Sequence, residues 1–198
     1  MKQIRELSNV DIYVIDQLLK GNIHADQRIL DAGCGSGRNF SYFAKHNFDI
    51  TGLDPNKEHI SSLRKEFPSY KNRLHHSSIE DFHTPETYDF IICNAVLHFA
   101  ENHQHFEQLF SKLIQLLDVN GTLFIRMTTD HGLTENYTSD NGVFILPDGS
   151  TRYLIRRSQV NTLCEEHNLD FVEPFKTVLV EEYRSMSSIV LKKNSPVV

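Results

Sequence analysis

Apolar runs alternate with helical patterns along most of the chain, and this alternation restricts the fold more than any other feature. Runs typical of strands lie at about 28–32, 48–53, 72–76, 87–93 and 121–127. Apolar residues at helical spacing lie between them, as Phe40/Phe43/Ala44, Ile60/Leu63/Phe67 and Phe106/Leu109/Phe110/Leu113/Ile114/Leu117. The pattern predicts an α/β fold: a doubly wound, mainly parallel sheet with helices on both faces.

The two ends of the chain add a helix and an antiparallel element to this pattern. Ser8 is expected to cap a first helix that ends near Lys20-Gly21. Ser158 is expected to begin the last helix, and strands at about 170–180 and 184–192 follow it. Because the connection between these strands is short, they are expected to form an antiparallel hairpin.

Length and composition restrict the class of protein. A chain of 198 residues is expected to form one domain. The net charge of −6 argues against general nucleic-acid binding, and no apolar run is long enough to span a membrane. Three cysteines without CxxC spacing suit reduced thiols in the cytoplasm and argue against a zinc site.

A glycine-rich turn, RILDAGCGSGRN, joins the first predicted strand to the next helix. Gly33 and Gly35 fit the dinucleotide fingerprint GxGxxG, but the third glycine falls at Gly37 and Arg38 takes the fingerprint position. No Gly-Lys-Ser/Thr follows, so the phosphate-loop pattern also fails. The turn therefore predicts a nucleoside ligand that carries no phosphate at this point.

Two carboxylates indicate the chemistry of that ligand. Asp31 at the strand tip would repel a pyrophosphate but would suit an ammonium group, as in S-adenosylmethionine, an aminoacyl nucleoside with a cationic sulfonium. Asp54 ends the second strand, where its carboxylate could accept both ribose hydroxyl protons. The alternative is that Asp54, followed by Pro55, caps a helix.

Five segments together resemble the motifs of class I S-adenosylmethionine-dependent methyltransferases in order, spacing and residue type. They are RILDAGCGSGRN, FDITGLDPN, HHSSIEDF, YDFIICNAVLHF and VNGTLFIRM. The resemblance covers about residues 27–128, and the Gly-Arg-Asn is similar to tellurite-resistance and other small-molecule methyltransferases. It implies a Rossmann-like, seven-stranded sheet that ends in an antiparallel hairpin.

The resemblance also implies roles for individual residues. The expected cofactor-binding positions are Asp31, Gly33, Gly35, Arg38, Asp54, Pro55, Ser78, Ile79 and Asn94. Asp31, Gly33 and Gly35 would surround the methionine part, and Asp54 would take the ribose. Pro55 and Ser78-Ile79 would border the adenine, and Asn94 would contact the amino-acid end through its backbone. The family often has Asp at the position of Ser78.

Methyl transfer from a sulfonium requires alignment of the acceptor and exclusion of water more than it requires a catalytic base. His98, four residues beyond Asn94, is the candidate base, and the alternative is that it only lines the pocket. Tyr13 and Arg126 are the candidate acceptor-lining residues. The spacing of His98, His103 and His105 does not suit a metal site.

The resulting hypothesis is a small-molecule methyltransferase that releases S-adenosylhomocysteine. The chain would comprise an N-terminal cap (1–26), a cofactor-binding core (27–128), an insertion acting as a lid (129–155), and a terminal helix and hairpin (156–198). Two alternatives stay open: a non-catalytic protein that binds S-adenosylmethionine, and a nucleotide-dependent oxidoreductase. Methylation of protein or RNA also stays open as an alternative, although the sequence shows no basic patch.

Overall fold

A computed structural model describes residues 7–132, 139–146, 148–181 and 184–196. The chain forms two compact units, called here the first region (Met1–Ile92) and the second region (Cys93–Val198). The division of the chain into cap, core, lid and terminal hairpin stays a prediction.

The first region alternates helices with parallel strands. Its elements are α1 (Ile12–Leu19), β1 (Arg28–Ala32), α2 (Phe40–Lys45), β2 (Asp49–Asp54), α3 (Lys57–Glu66), a 3-10 turn (Pro68–Arg73), β3 (Leu74–His76) and β4 (Tyr88–Asn94), whose last two residues belong to the second region. The strand order is β4-β1-β2-β3, and every pairing is parallel.

Strands β1, β2 and β4 are buried along nearly their whole length. In β1 and β4, Ile29, Leu30, Phe90 and Ile91 have no exposed surface. Ile29 pairs with Phe90 and Leu30 pairs with Ile91. Continuous apolar runs are typical of parallel strands that are covered on both faces, which explains why these segments do not alternate with polar residues.

The first helix begins later than the sequence pattern predicts. Asp11, not Ser8, is the N-cap, because its carboxylate accepts a hydrogen bond from the backbone N–H of Tyr13. The N–H of Val10 donates to the carbonyl of Leu7, so the chain before Asp11 forms a turn. The predicted end near Lys20 is confirmed.

The second region contains two helices and the antiparallel strands. Its elements are a 3-10 turn (Leu97–Phe99), α4 (His103–Leu116), β5 (Leu117–Thr128), β6 (Ser139–Asp140), β7 (Val143–Ile145), β8 (Thr151–Tyr153), α5 (Arg157–His167), β9 (Leu169–Phe171), β10 (Lys176–Val180) and β11 (Arg184–Lys193). Leu117, expected in the helix, is the first residue of β5.

The longest of the C-terminal strands, β11, pairs antiparallel with β5 on one side and with β10 on the other. The single strand predicted over 170–180 is wrong, because β9 and β10 are separate short strands that both pair with β11. The helix predicted to begin at Ser158 begins at Arg157. The predicted antiparallel hairpin is confirmed as β10 and β11.

The segment after β5 forms a small sheet of its own, β6-β7-β8. Strands β7 and β8 form an antiparallel hairpin, with Val143 opposite Tyr153 and Ile145 opposite Thr151. Tyr153 is fully buried and its ring stacks on that of Phe106, with the centroids 4.7 Å apart. The far end of this segment is therefore held in the core of the second region.

The fold class predicted from the sequence is confirmed, since mainly parallel strands are followed along the chain by antiparallel ones and alternate with helices. The implied number of seven strands is wrong, because β9 and β10 are separate and bring the strands of the main sheet to eight among the described residues. The helices within the described residues are too short or too polar to span a bilayer.

Candidate functional site

The glycine turn begins directly after β1 and is fastened to the end of β2. The backbone N–H groups of Gly33 and Cys34 both donate to the carbonyl of Leu53, each at 2.9 Å. The N–H of Gly37 donates to the carbonyl of Cys34 at 2.9 Å. These bonds hold the turn in one conformation at the carboxyl ends of two parallel strands.

Two glycines of the turn serve different purposes. Gly37 has a φ of +95°, and a Cβ there would lie 2.5 Å from Leu63 Cδ2 and 2.8 Å from Ser41 Oγ. Gly35 has a φ of +54°, and a Cβ there would meet no atom within 4 Å. Gly37 therefore permits close packing against α2 and α3, whereas Gly35 borders open space.

Asp54 lies at the tip of β2 and contacts this open side of the turn. Its carboxylate accepts hydrogen bonds from the backbone N–H groups of Gly35 and Asn56, both at 2.9 Å, and lies 3.3 Å from His59 Nδ1. Asn56 is the N-cap of α3, with its side chain accepting from Glu58 N and His59 N. The interpretation of Asp54 as the cap is therefore wrong, since Asn56 takes that role.

Asp31 is buried at the end of β1. Its carboxylate accepts a hydrogen bond from the backbone N–H of Phe40 at 3.1 Å. Burial raises the pKa of Asp31 to about 7, and the charge of Asp54 adds to this effect, while the Phe40 N–H opposes it. A cation beside Asp31 would stabilise the ionised form, so the group suits a ligand that carries an ammonium.

The Gly-Arg-Asn after the turn holds the N-terminal segment. Arg38 Nε donates to the carbonyl of Asn9 at 3.1 Å, and Arg38 Nη2 lies 3.4 Å from Asp11 Oδ2. The buried Asn39 Oδ1 accepts from the backbone N–H of Asp11 at 3.0 Å. These contacts give Arg38 a structural role. Asn39 was not among the predicted site residues.

The residues expected near the adenine have contacts of their own. Ser78 Oγ donates to Asp81 Oδ2 at 2.9 Å and accepts from the backbone N–H of Asp81 at 3.2 Å. Ile79 is buried, and the carbonyl of Pro55 lies 3.0 Å from His76 Nε2. The adenine contacts of Pro55, Ser78 and Ile79 stay predictions.

In the second region, two predicted site residues bury polar atoms. Asn94 Oδ1 and His98 Nδ1 have no hydrogen-bond partner among the described residues. Burial lowers the pKa of His98 to about 4, and the charges of Arg152, Arg126 and Arg184 lower it further. His98 is therefore neutral at pH 7 and could exchange a hydrogen bond with a ligand.

The two residues predicted to line an acceptor are both half-buried. Arg126 is in β5, and its carbonyl accepts from the backbone N–H of Ala95 at 2.8 Å, which fixes it beside the chain that leads to His98. Tyr13 is in the first turn of α1 in the first region.

The sequence matches the family described as "Methyltransferase domain" over residues 29–121. The matched residues, a little under half of the chain, are similar to a methyltransferase domain. The matched segment includes the glycine turn, Asp54 and both buried polar groups of the second region. The resemblance to S-adenosylmethionine-dependent methyltransferases is thereby confirmed.

Curated proteins that are similar to this chain are methyltransferases. Ubiquinone biosynthesis O-methyltransferase of Rickettsia felis is 34% identical over 98 residues, which is 48% of this chain and 40% of that protein. The probable S-adenosyl-L-methionine-dependent methyltransferase TehB of Haemophilus influenzae is 30% identical over 109 residues, 52% of this chain and 37% of TehB. The chain spans about half the length of the curated relatives it matches.

A solved structure gives the same fold at low identity. It is 1,6-didemethyltoxoflavin-N1-methyltransferase of Burkholderia thailandensis, with bound 1,6-didemethyltoxoflavin and S-adenosylhomocysteine. The TM-score is 0.69 at 15% identity, and the alignment covers 92% of this chain and 76% of that one. Within the described residues, no three His, Cys, Asp or Glu side chains are grouped so that they could hold a metal ion.

Proposed function

We propose that this methyltransferase domain binds S-adenosylmethionine at the glycine turn and transfers the methyl group to a small-molecule acceptor. The observation that carries the proposal is the arrangement of Asp54 and Gly35. A carboxylate at the tip of β2 accepts the N–H of a glycine whose missing side chain leaves open space. Such a pair suits a ribose, whose hydroxyls donate to the carboxylate while the ring approaches the glycine.

Asp31 would complete the site at the other end of the ligand. With a pKa of about 7, it is partly protonated at neutral pH when no cation is near. An amino-acid ammonium beside it favours the ionised form and gains a charge-assisted hydrogen bond. Gly33 would let the backbone approach this end, and the backbone contact of Asn94 with the cofactor stays a prediction.

The bound cofactor supplies a methyl group on a positively charged sulfur, which is already a good leaving group. The protein would have to align the acceptor in line with that group and exclude water, and proximity can supply most of the acceleration. Neutral His98 could accept a proton from an acceptor hydroxyl, although a pKa of about 4 makes it a weak base. The lining roles of Tyr13 and Arg126 stay predictions.

The small-molecule class of acceptor is supported by the relatives. The curated relatives include ubiquinone biosynthesis O-methyltransferases, and the Burkholderia thailandensis enzyme was solved with a small heterocycle. The net charge of −6 adds to this argument, because a nucleic-acid acceptor would favour a basic surface.

The test is calorimetry with S-adenosylhomocysteine and NAD. We expect the former to bind and NAD to show no comparable binding. Asp54→Asn should weaken S-adenosylhomocysteine binding by roughly tenfold or more, because hydrogen bonds to a charged acceptor contribute about 1.5–3 kcal/mol each.

The matched control is Asp89→Asn. Asp89 is another carboxylate of the first region that accepts a backbone N–H, from Arg28 at 2.7 Å. Both variants should lose some thermal stability, and only Asp54→Asn should lose affinity. Tighter binding of NAD than of S-adenosylhomocysteine, or equal affinity in the two variants, would contradict the proposal.

A further inference from the structure

Two arginines of the second region lie on one face of the β5–β11 pair. The register places Ser188 opposite Arg126 and Met186 opposite Thr128. Because side chains alternate along a strand, Arg184 lies on the same face as Met186 and Ser188, and therefore on the face of Arg126. The two strands thus direct both guanidinium groups to one side.

A third arginine is brought to this face by the small sheet. Thr128 Oγ1 donates to the carbonyl of Tyr153 at 2.9 Å, which fastens the end of β8 over the face that Thr128 occupies. The neighbouring Arg152 places its guanidinium carbon 4.8 Å from the ring centroid of Phe99. Phe99 is 60% exposed, and the centroid of its ring lies 4.5 Å from the centroid of the His98 imidazole.

The three arginines, called here the arginine cluster (Arg126, Arg152 and Arg184), are close enough for their charges to lower the pKa of His98. The cluster also has a neighbouring acid. Asp148 is fully exposed, and its pKa is lowered first by hydrogen bonds from Ser150 and then by Arg152 and Arg184. An exposed carboxylate in water screens such charges only weakly.

The same region holds the two buried polar atoms described above, Asn94 Oδ1 and His98 Nδ1, and the backbone N–H of Ala95, next to Asn94, donates to the carbonyl of Arg126. A buried polar atom without a hydrogen bond costs free energy, commonly about 1–3 kcal/mol. His98 is 7% exposed, so bulk water reaches little of its ring. A donor group on a ligand would remove this cost, since the amide oxygen only accepts and a neutral imidazole can accept at one nitrogen.

We propose that the arginine cluster binds an anionic group, a carboxylate or a phosphate, on the methyl acceptor, while Asn94 and His98 take hydrogen bonds from a hydroxyl or amino group of the same molecule. The acceptor is thus a small hydroxy or amino acid, or its phosphate counterpart. Guanidinium groups suit both anions, because their donors match the two oxygens of a carboxylate or phosphate. This inference rests on the proposed function, since it names the substrate class of that enzyme.

The test uses the full chain saturated with S-adenosylhomocysteine and two pairs of probes at constant ionic strength. The anionic probes are 4-hydroxybenzoate and phenyl phosphate, and the neutral counterparts are 4-hydroxybenzamide and phenol. The readout is the imidazole resonance of His98 in nuclear magnetic resonance spectra, assigned with His98→Gln. Saturable binding of either anion should raise the pKa of His98, because the anion offsets the arginine charges.

The variants Arg152→Gln and Arg184→Gln should each weaken anion binding by roughly tenfold or more, as expected for the loss of one charge-assisted hydrogen bond. Arg157→Gln is the matched control. Arg157 lines a different cavity of about 280 Å³ together with Phe175 and Thr177. Thr177 is opposite Ser187, and so lies on the other face of β11 from Arg184.

Equal binding of anionic and neutral probes, no saturable binding of either anion, or the same loss in Arg157→Gln would overturn the inference. Calorimetry of S-adenosylhomocysteine on the same samples separates the two proposals. A protein that binds S-adenosylhomocysteine but does not prefer the anions retains the proposed function and loses only this substrate class.

Discussion

Each region has a turn that follows a strand and lies beside a buried titratable group: the glycine turn in the first region, and the turn after β4 in the second. The two turns differ in whether their buried polar atoms have hydrogen-bond partners in the protein. In the glycine turn, Asp31 and Asp54 accept hydrogen bonds from the backbone of their own region. After β4, Asn94 Oδ1 and His98 Nδ1 have no such partner among the described residues. The carboxylates of the first arrangement already have partners in the protein, whereas the second leaves two polar atoms to which a ligand could bond.

Burial has opposite effects on the pKa of the two titratable groups. Removal from water disfavours the charged form of each, so it raises the pKa of Asp31 to about 7 and lowers that of His98 to about 4. The carboxyl group is close to half-ionised at neutral pH, where a cationic ligand can ionise it. The imidazole is neutral over the same range, so a change of pH near 7 leaves it unchanged.

The largest expected effect is the loss of stability on substitution of Gly37, which tests whether close packing requires a glycine at this position. Gly37→Ala should lower the free energy of unfolding by about 2–5 kcal/mol, because the new methyl group overlaps Leu63 and Ser41 and the residue keeps a φ of +95°. Gly35→Ala should cost only about 1–2 kcal/mol, from its φ of +54°. Urea denaturation measures both.

The same two variants distinguish a glycine needed for packing from a glycine needed for ligand binding. Gly35→Ala should weaken S-adenosylhomocysteine binding by roughly tenfold or more, since its methyl group enters the space beside Asp54. Gly149→Ala is the control, because Gly149 also has a positive φ (+77°) and no atom within 4 Å of its Cβ position, but it lies in an exposed turn of the second region. Equal losses of stability in Gly37→Ala and Gly35→Ala would disprove the distinction.

The next effect concerns the pH dependence of stability, which should have opposite signs in the two regions. Stability rises with pH wherever the unfolded chain holds more protons than the folded one. Asp31 keeps its proton up to about pH 7 in the folded chain but loses it near pH 4 in the unfolded chain. Its contribution to the free energy of unfolding therefore falls as the pH rises from 4 to 7. His98 is protonated below about pH 6.5 only in the unfolded chain, so its contribution rises between pH 4 and 6.5.

The two contributions oppose each other in the wild type, and single variants expose them. Relative to wild type, Asp31→Asn should make the slope of stability against pH more positive between pH 4 and 6.5, and His98→Gln should make it more negative. One proton corresponds to roughly 1.4 kcal/mol per pH unit, an upper limit for each change. Thermal melts at half-unit intervals of pH measure the slopes, and two changes of the same sign would refute the burial argument.

The smallest effect concerns the attachment of the N-terminal segment to the glycine turn. Arg38 is mostly exposed, so Arg38→Gln should cost less than about 1 kcal/mol despite its contact with Asp11. Asn39→Ala should cost about 1–3 kcal/mol, because it leaves the buried backbone N–H of Asp11 without its acceptor. Chemical denaturation of the two variants side by side decides the order, and a greater loss in Arg38→Gln would reverse it.

The sequence predicted those features that depend on neighbours along the chain. The strands around the glycine turn follow from local apolar runs, and the positions of Asp31 and Asp54 follow from the strand ends. The cap of α3 was assigned to the wrong residue in the alternative interpretation, because Asp54 and Asn56 both suit a cap and only the helix start at Lys57 decides between them.

The arginine cluster could be predicted only in part. Arg126 follows from the end of a predicted strand, but Arg152 and Arg184 come from strands far along the chain. Their meeting depends on the antiparallel register of β5 with β11 and on the bond from Thr128 to Tyr153. Register between distant strands is set by packing across the sheet, and apolar periodicity within one strand does not specify it.

The pairing of β11 between β5 and β10 has a consequence for synthesis on the ribosome. In the first region, β1 to β4 follow one another closely, so this parallel sheet can form while later residues are still being added. In the second region, Leu123, Phe124 and Ile125 of β5 lack their antiparallel partners until Arg184–Lys193 has emerged. During that interval the nascent chain presents an apolar strand with an unpaired edge, the kind of surface that chaperones cover and that aggregates when left exposed.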